Sequence, residues 1–259
     1  MTYRIFGAGV GGDTPVPLSH VREGDFVILP NTWDGGGPIV VVCHGAGATH
    51  ATYAPSSMRP ALNLLAEWGC CVVIPDLGGT NTWGTDTAVH ATTGRIREAI
   101  DYAVRDWDAD GERVGLIGHS MGFMNAIGFH WRAPSVVAAT VGVLPVCAAD
   151  ALHDRTPAGL GLLIDTAYGS LANWEADKGN RDPSAVGPAA LIAAFKDNVR
   201  LYYSTNDTTV LQSDITTFCT ATGVAARPIG AIGHSDLATA SVDKYEQGRW
   251  LASKLGLIS

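Results

Sequence analysis

One run of residues, Pro38-Ile39-Val40-Val41-Val42-Cys43, restricts the architecture of this chain more than any other, because it is apolar and β-branched with no polar residue to mark a wet face. A strand with one face in water alternates polar and apolar side chains; a strand covered on both faces need not, and such strands belong to parallel sheets. Similar runs recur at Cys70 to Pro75, Arg113 to Ile117, Val136 to Val146 and Val199 to Ser204, with a shorter one at Phe26 to Pro30. Between them lie segments of helical spacing. Met58 to Trp68 repeats Met58, Ala61, Leu62, Leu65 and Trp68 before Gly69, and Thr93 to Trp107 sets Ile96, Ala99, Ile100, Ala103, Val104 and Trp107 on one face. Leu211 to Thr222 reads as a further helix, Pro228 to Ile232 as the last strand, and Val242 to Leu255 as a closing helix with Tyr245, Trp250, Leu251 and Leu255 turned inward. This alternation predicts an α/β fold: a doubly wound, mostly parallel central sheet with helices on both faces and right-handed crossovers.

No repeat or linker divides the 259 residues, so positions 1–259 are read as a single domain. The strand–helix rhythm breaks between Cys147 and Asn198, where Gly, Pro, Asp and Trp mix with short apolar pieces. Positions 147–198 are therefore expected to form a lid- or cap-like insertion, with crossover helices packed on the sheet as the alternative.

The stretch that carries chemistry is Gly115-Leu116-Ile117-Gly118-His119-Ser120-Met121-Gly122. A strand runs into Gly-x-Ser-x-Gly, and an apolar helical segment, Phe123 to Trp131, follows. A serine hydroxyl is a weak nucleophile unless a sharp turn presents it to a base, and such a turn tolerates only small neighbours, here Gly118 and Gly122. Ligands of open α/β sheets bind beyond the carboxyl ends of the strands. Three such ends carry Ser120, Asp207 and His234. His234 is suited to take the proton of Ser120 and return it to a leaving group, with Asp207 orienting the imidazole and stabilising its charged form. The backbone amides of Met121 and Ala46 would meet an oxyanion. Ala46 lies in His44-Gly45-Ala46-Gly47-Ala48, directly after the first buried strand, where Gly45 lets the backbone approach a ligand closely. Asp165, Asp177, Asp182, Asp197 and Asp214 are rival carboxylates in the same part of the chain; Asp236 follows His234 too closely to orient it.

A second glycine-rich stretch, Gly7 to Gly12, matches G-x-G-x-x-G, but Pro15 and Pro17 follow where a dinucleotide site needs a helix. It reads as a turn, and no cofactor is expected. The net charge of −8, without an offsetting basic cluster, argues against nucleic acid as a partner. Cys43, Cys70, Cys71, Cys147 and Cys219 lack ligand spacing and read as small buried hydrophobes, and the remaining histidines lack paired spacing, so no metal is expected. Met1 to Phe6 lacks the apolar run of a signal peptide, and no stretch reaches the roughly 18 apolar residues of a membrane span. A cytoplasmic protein without integral membrane contact is therefore expected.

Three features together, His44-Gly45-Ala46-Gly47, Gly118-His119-Ser120-Met121-Gly122 and the order serine, aspartate, histidine, make the chain resemble the α/β-hydrolase superfamily from about Phe26 to Leu257. The resemblance implies Ser120 as nucleophile, Asp207 as acid, His234 as base, and a serine esterase that uses no cofactor. Asp207 is favoured because it ends a strand at about the family's usual distance before the histidine. The substrate implied is a small-molecule or lipid ester, with lipase and thioesterase variants of the same chemistry. Leu163 and Trp174 in the insertion would then line an acyl pocket. The Gly/Ala/Trp-rich style of Asp34 to Tyr53 is similar to small hydrolases of bacteria and their phages, which leaves a virion-associated esterase as an alternative. A binding or structural protein on the same fold is the rival of another class, and it would need no such combination of serine, aspartate and histidine.

Overall fold

The structure is a computed structural model that describes residues 3–6, 25–53, 59–85, 92–235 and 241–259. Its strands are β1 (Tyr3–Phe6), β2 (Phe26–Pro30), β3 (Pro38–Cys43), β4 (Cys71–Ile74), β5 (Asp110–His119), β6 (Val137–Val143), β7 (Val199–Tyr203) and β8 (Ala225–Pro228). They form one sheet in the order β1-β2-β4-β3-β5-β6-β7-β8. The β1–β2 and β2–β4 pairs are antiparallel and all the others parallel, so the sheet is mixed, with the antiparallel pairs at one edge and the parallel part running from β4 to the other edge, β8.

The absence of polar residues in β3 has a direct structural counterpart. Val40 and Val42 enter one core cluster, with Leu62, Leu65, Val72, Val141 and Leu251, whereas Ile39, Val41 and Cys43 enter another, with Ile96, Ile100, Leu116 and Phe129. Successive side chains of a strand point to opposite faces, and here each face meets a helical layer. After the one-turn α1 (His50–Tyr53), the first layer is α2 (Arg59–Glu67) with α10 (Ser241–Lys254); the second is α3 (Thr92–Trp107) with α4 (Met121–Arg132). Gly69 ends α2 at φ +99, where the amides of Gly69 and Cys70 return to the carbonyls of Ala66 and Leu65. That left-handed closure is what a glycine just past a helix provides.

Positions 147–198 fold as α5 (Ala149–Arg155), α6 (Leu160–Tyr168), α7 (Leu171–Arg181), α8 (Val186–Ala193) and a 3-10 turn, Lys196–Asn198, between β6 and β7. Their inner faces meet α4 and α9 (Gln212–Thr222) in a third cluster that joins Ile164, Trp174 and Ile192 to Met121, Phe123, Met124, Ile215 and Phe218. Polar staples hold the helices to one another. The Asp182 carboxylate accepts from the amides of Asp150 (2.7 Å) and Ser184 (2.9 Å), and His153 Nε2 meets Asp165 Oδ1 at 3.0 Å.

The last strand lies three residues earlier than the sequence suggested. Gly223, at φ +73, closes α9, and β8 starts at Ala225. Gly230, at φ +95, turns the backbone out of the ladder, so residues 229–232 run past the end of β7 without extending the strand. The glycine-rich Gly7 to Gly12, Met58, Asp236 and the side chain of Tyr245 lie outside the described residues. Among the described residues no helix is long and apolar enough to cross a membrane.

Candidate active site

Ser120 sits between the last residue of β5 and the first of α4 with φ 53 and ψ −122, a conformation that L-residues rarely adopt. Such a backbone costs on the order of 1–3 kcal/mol and persists only where its surroundings hold it. The surroundings here are tight. A Cβ on Gly118 would lie 2.4 Å from Phe123 Cα, and one on Gly122 would lie 2.1 Å from the Cys43 carbonyl oxygen. The Ser120 amide donates to the Val143 carbonyl (3.0 Å), and the Phe123 amide donates to the Ser120 carbonyl (3.0 Å), so the turn is tied to β6 and to α4.

Ser120 Oγ lies 2.8 Å from His234 Nε2, and His234 Nδ1 lies 2.6 Å from Asp207 Oδ2. Asp207 follows β7, and its other oxygen accepts from the amides of Thr209 (2.8 Å) and Val210 (2.9 Å). Burial pushes the Asp207 carboxyl up, but the bonds from His234 and from these two amides outweigh it and hold the group below the ordinary carboxylate range. An ionised Asp207 can only accept, so His234 carries its hydrogen on Nδ1 and presents Nε2 as an acceptor to the serine hydroxyl. A hydroxyl bonded in this way can pass its proton to the imidazole as its oxygen forms a new bond.

Four of the five rival carboxylates are engaged elsewhere. Asp165 meets His153, Asp177 pairs with Arg181 at 2.8 Å, Asp182 holds the insertion, and Asp214 pairs with Arg155 at 2.6 Å. Asp197 lies in the 3-10 turn before β7.

His119 stacks beside His234, with ring centroids 6.0 Å apart and planes 22° apart. Burial, reinforced by the neighbouring His234, pushes His119 down to about 3, so it is neutral wherever the protein is folded near pH 7. The loop after β3 closes the other side. A Cβ on Gly45 would lie 3.1 Å from His119 Nδ1 and 3.3 Å from Ser120 Cβ, so the backbone passes in contact with the serine. The Gly47 amide donates to the Thr80 carbonyl (2.9 Å), and His44 Nδ1 donates to the Gly45 carbonyl (3.0 Å). Burial also lowers the His44 imidazole. Ala46 lies in the loop after β3, and Met121 is the first residue of α4, directly after Ser120.

Two sequence expectations fare differently in the insertion. Leu163 is half-buried against the cluster that includes Met121 and Met124. Trp174 is 0% exposed and packs edge-on against Tyr168 with centroids 5.0 Å apart, so its ring offers no surface to a substrate. Its size and hydrophobicity are used to anchor α7 to the core instead. Sequence reading also missed Asn125. Its Oδ1 accepts from the Gly84 amide (2.7 Å) and its Nδ2 donates to Thr82 Oγ1 (2.9 Å), tethering residues 82–84 behind α4. The available signal was the one amide side chain of α4, whose other polar residues, His130 and Arg132, stand in its last turn.

Among the described residues no cluster of His, Cys, Asp and Glu could hold a metal ion. All five cysteines are free thiols, and burial pushes each of them up.

No protein-family model and no curated protein sequence matches the chain. Solved structures do. An S-formylglutathione hydrolase from Agrobacterium tumefaciens aligns with a TM-score of 0.68 at 17% identity, covering 90% of each chain. The fluorophosphonate-binding serine hydrolase F of Staphylococcus aureus aligns at 0.67 and 19% identity, covering 89% of this chain and 91% of the other. Esterase B from Lactobacillus rhamnosis aligns at 0.62 and 14% identity, covering 90% and 81%. The chain has the α/β-hydrolase fold over nine-tenths of its length.

Proposed function

We propose that this α/β-hydrolase-fold chain is a serine hydrolase that cleaves carboxylic esters through an acyl-enzyme. The observation that carries the reading is the hydrogen-bonded line from Ser120 Oγ through His234 to Asp207, 2.8 Å and 2.6 Å long, at the end of a strained strand-to-helix turn. The strain and the bonds have one use in common: they present an oxygen whose proton has somewhere to go.

In this reading Ser120 Oγ attacks the ester carbonyl as its proton moves to His234 Nε2, and the carbonyl oxygen becomes an anion facing the amides of Ala46 and Met121. The anion collapses, the carbon–oxygen bond to the alcohol breaks, and His234 returns the proton to the departing alkoxide. Water then enters and gives a proton to His234 as it attacks the acyl carbon; the second anion collapses by breaking the bond to Ser120 Oγ, which takes the proton back from His234 as the acid leaves. Asp207 stays ionised throughout and stabilises the imidazolium of both steps. Positions 147–198 serve as the specificity element, with Leu163 facing the acyl side. This is supported by the apolar cluster that the insertion shares with Met121 and Met124 beside the nucleophile.

Labelling by a fluorophosphonate tests the assignment. Wild type should be labelled on Ser120 and should hydrolyse p-nitrophenyl esters, and Ser120→Ala should do neither, with a loss on the order of 10⁶ in turnover. Folded wild type that takes no label and cleaves no ester would return the chain to the class of binding proteins.

A further inference from the structure

Ser204 is the first residue after β7, three before Asp207, and only 1% exposed. Its hydroxyl donates to the Ile232 carbonyl (2.5 Å) and accepts from the amides of Ile232 (2.9 Å) and Asn206 (3.1 Å). A hydroxyl has one hydrogen to give and two lone pairs, so this one is used to capacity. Its partners stand on the two segments that matter: Asn206 adjoins Asp207, and Ile232 comes two residues before His234.

The reason for the arrangement lies in the backbone. The Ile229 amide reaches the Tyr203 carbonyl (2.8 Å) and the Thr205 amide reaches the Gly230 carbonyl (3.2 Å), but Gly230 at φ +95 carries the chain out of strand geometry. Beyond that point an ordinary ladder would offer the Ile232 amide and carbonyl a peptide group. Ser204 offers a side chain in its place, satisfying both groups of one residue at once. The Asp207 turn and the His234 loop are thereby joined by the acid–base contact itself and by Ser204, in addition to the Thr205 amide on the Gly230 carbonyl.

We infer that Ser204 is a positioning residue that sets the place of His234 relative to Asp207 and Ser120. This rests on the reading of those three residues given above. Without the hydroxyl, Ile232 loses this attachment, while the ladder bonds at Ile229 and Gly230 and the contact of His234 with Asp207 remain. A misplacement of the base by about 1 Å can cost on the order of 10² in rate, and the cost falls on the chemical step, because neither Ser204 nor Ile232 is assigned to substrate.

The experiment measures Ser204→Ala and Ser204→Thr for ester turnover, for the rate of fluorophosphonate labelling at Ser120, and for Tm. Ser204→Ala should lower kcat about 10²-fold with KM little changed, labelling should slow in parallel, and Ser204→Thr, which keeps the hydroxyl, should recover most of both. If Ser204→Ala does not fold, Ser204→Cys, a close match in shape but a weak donor and acceptor, carries the same expectation. Wild-type kcat in folded Ser204→Ala, or a loss that is as large in folded Ser204→Thr, overturns the inference. A wild type that takes no label overturns the reading of the site instead, and so the two failures are distinguishable.

Discussion

The two halves of the site are held by different forces. The half built from β3, β5 and α4 places Ser120 by contact: Gly118 and Gly122 leave no room for a single added carbon, and Phe123, Met121 and Cys43 around them are completely buried. The half beyond β7 and β8 places Asp207 and His234 by hydrogen bonds: two amides on Asp207 Oδ1, and the Ser204 hydroxyl between the two loops. β8 itself is a four-residue edge with mostly exposed side chains. One half therefore fails when something is added to it and the other when something is removed. The division also suits the proposed chemistry, in which the nucleophile holds one strained geometry while the base adjusts to successive proton transfers.

The largest effect expected from breaking this contrast comes on the polar half. Asp207→Asn preserves shape but lets the wrong ring nitrogen of His234 carry the hydrogen, and turnover should fall about 10⁴-fold with little change in Tm. A variant near wild type would move the acid's role to another carboxylate. On the packed half, Gly118→Ala adds one methyl group. It should lower Tm and, by displacing the elbow, lower kcat on the order of 10²-fold; unchanged values for both would mean that the turn is looser than its contacts imply. The smallest effect belongs to neither half. Leu163→Ala should alter the preference among p-nitrophenyl esters of different chain length by about 1–3 kcal/mol. A uniform change across the ester panel, or none, would remove the insertion from substrate recognition.

The contrast also explains what could be read from the sequence. Packing leaves a pattern along the chain: the unbroken apolar runs marked the central strands, and the glycines at 118 and 122 marked the turn, because a crowded position admits only a small residue whichever part of the chain crowds it. Ser120, Asp207 and His234 could be assigned to strand ends on that basis. Hydrogen bonds between loops leave no such pattern. Ser204 and Ile232 are twenty-eight residues apart, and nothing local distinguishes Ser204 from any serine that ends a strand. β8 was misplaced because Ala225-Ala226-Arg227-Pro228 lacks the β-branched residues that advertised the other strands, whereas the apolar Ile229 and Ile232 just beyond it imitate one. In the insertion, hydrophobic content was legible but its direction was not. A tryptophan that anchors a helix and a tryptophan that lines a pocket have the same spacing.

The positive φ of Ser120 sets the needs of the fold against those of the reaction. Glycine would occupy that backbone without strain, so the fold on its own account would be better served by a residue with no hydroxyl. Selection for stability alone would therefore erode this position early, and a stabilised descendant of the chain that had lost its serine would be an expected product of drift. A serine at φ 53 costs the fold stability, and the proposed reaction gives that cost a use, one that a measurement of folding by itself would never detect.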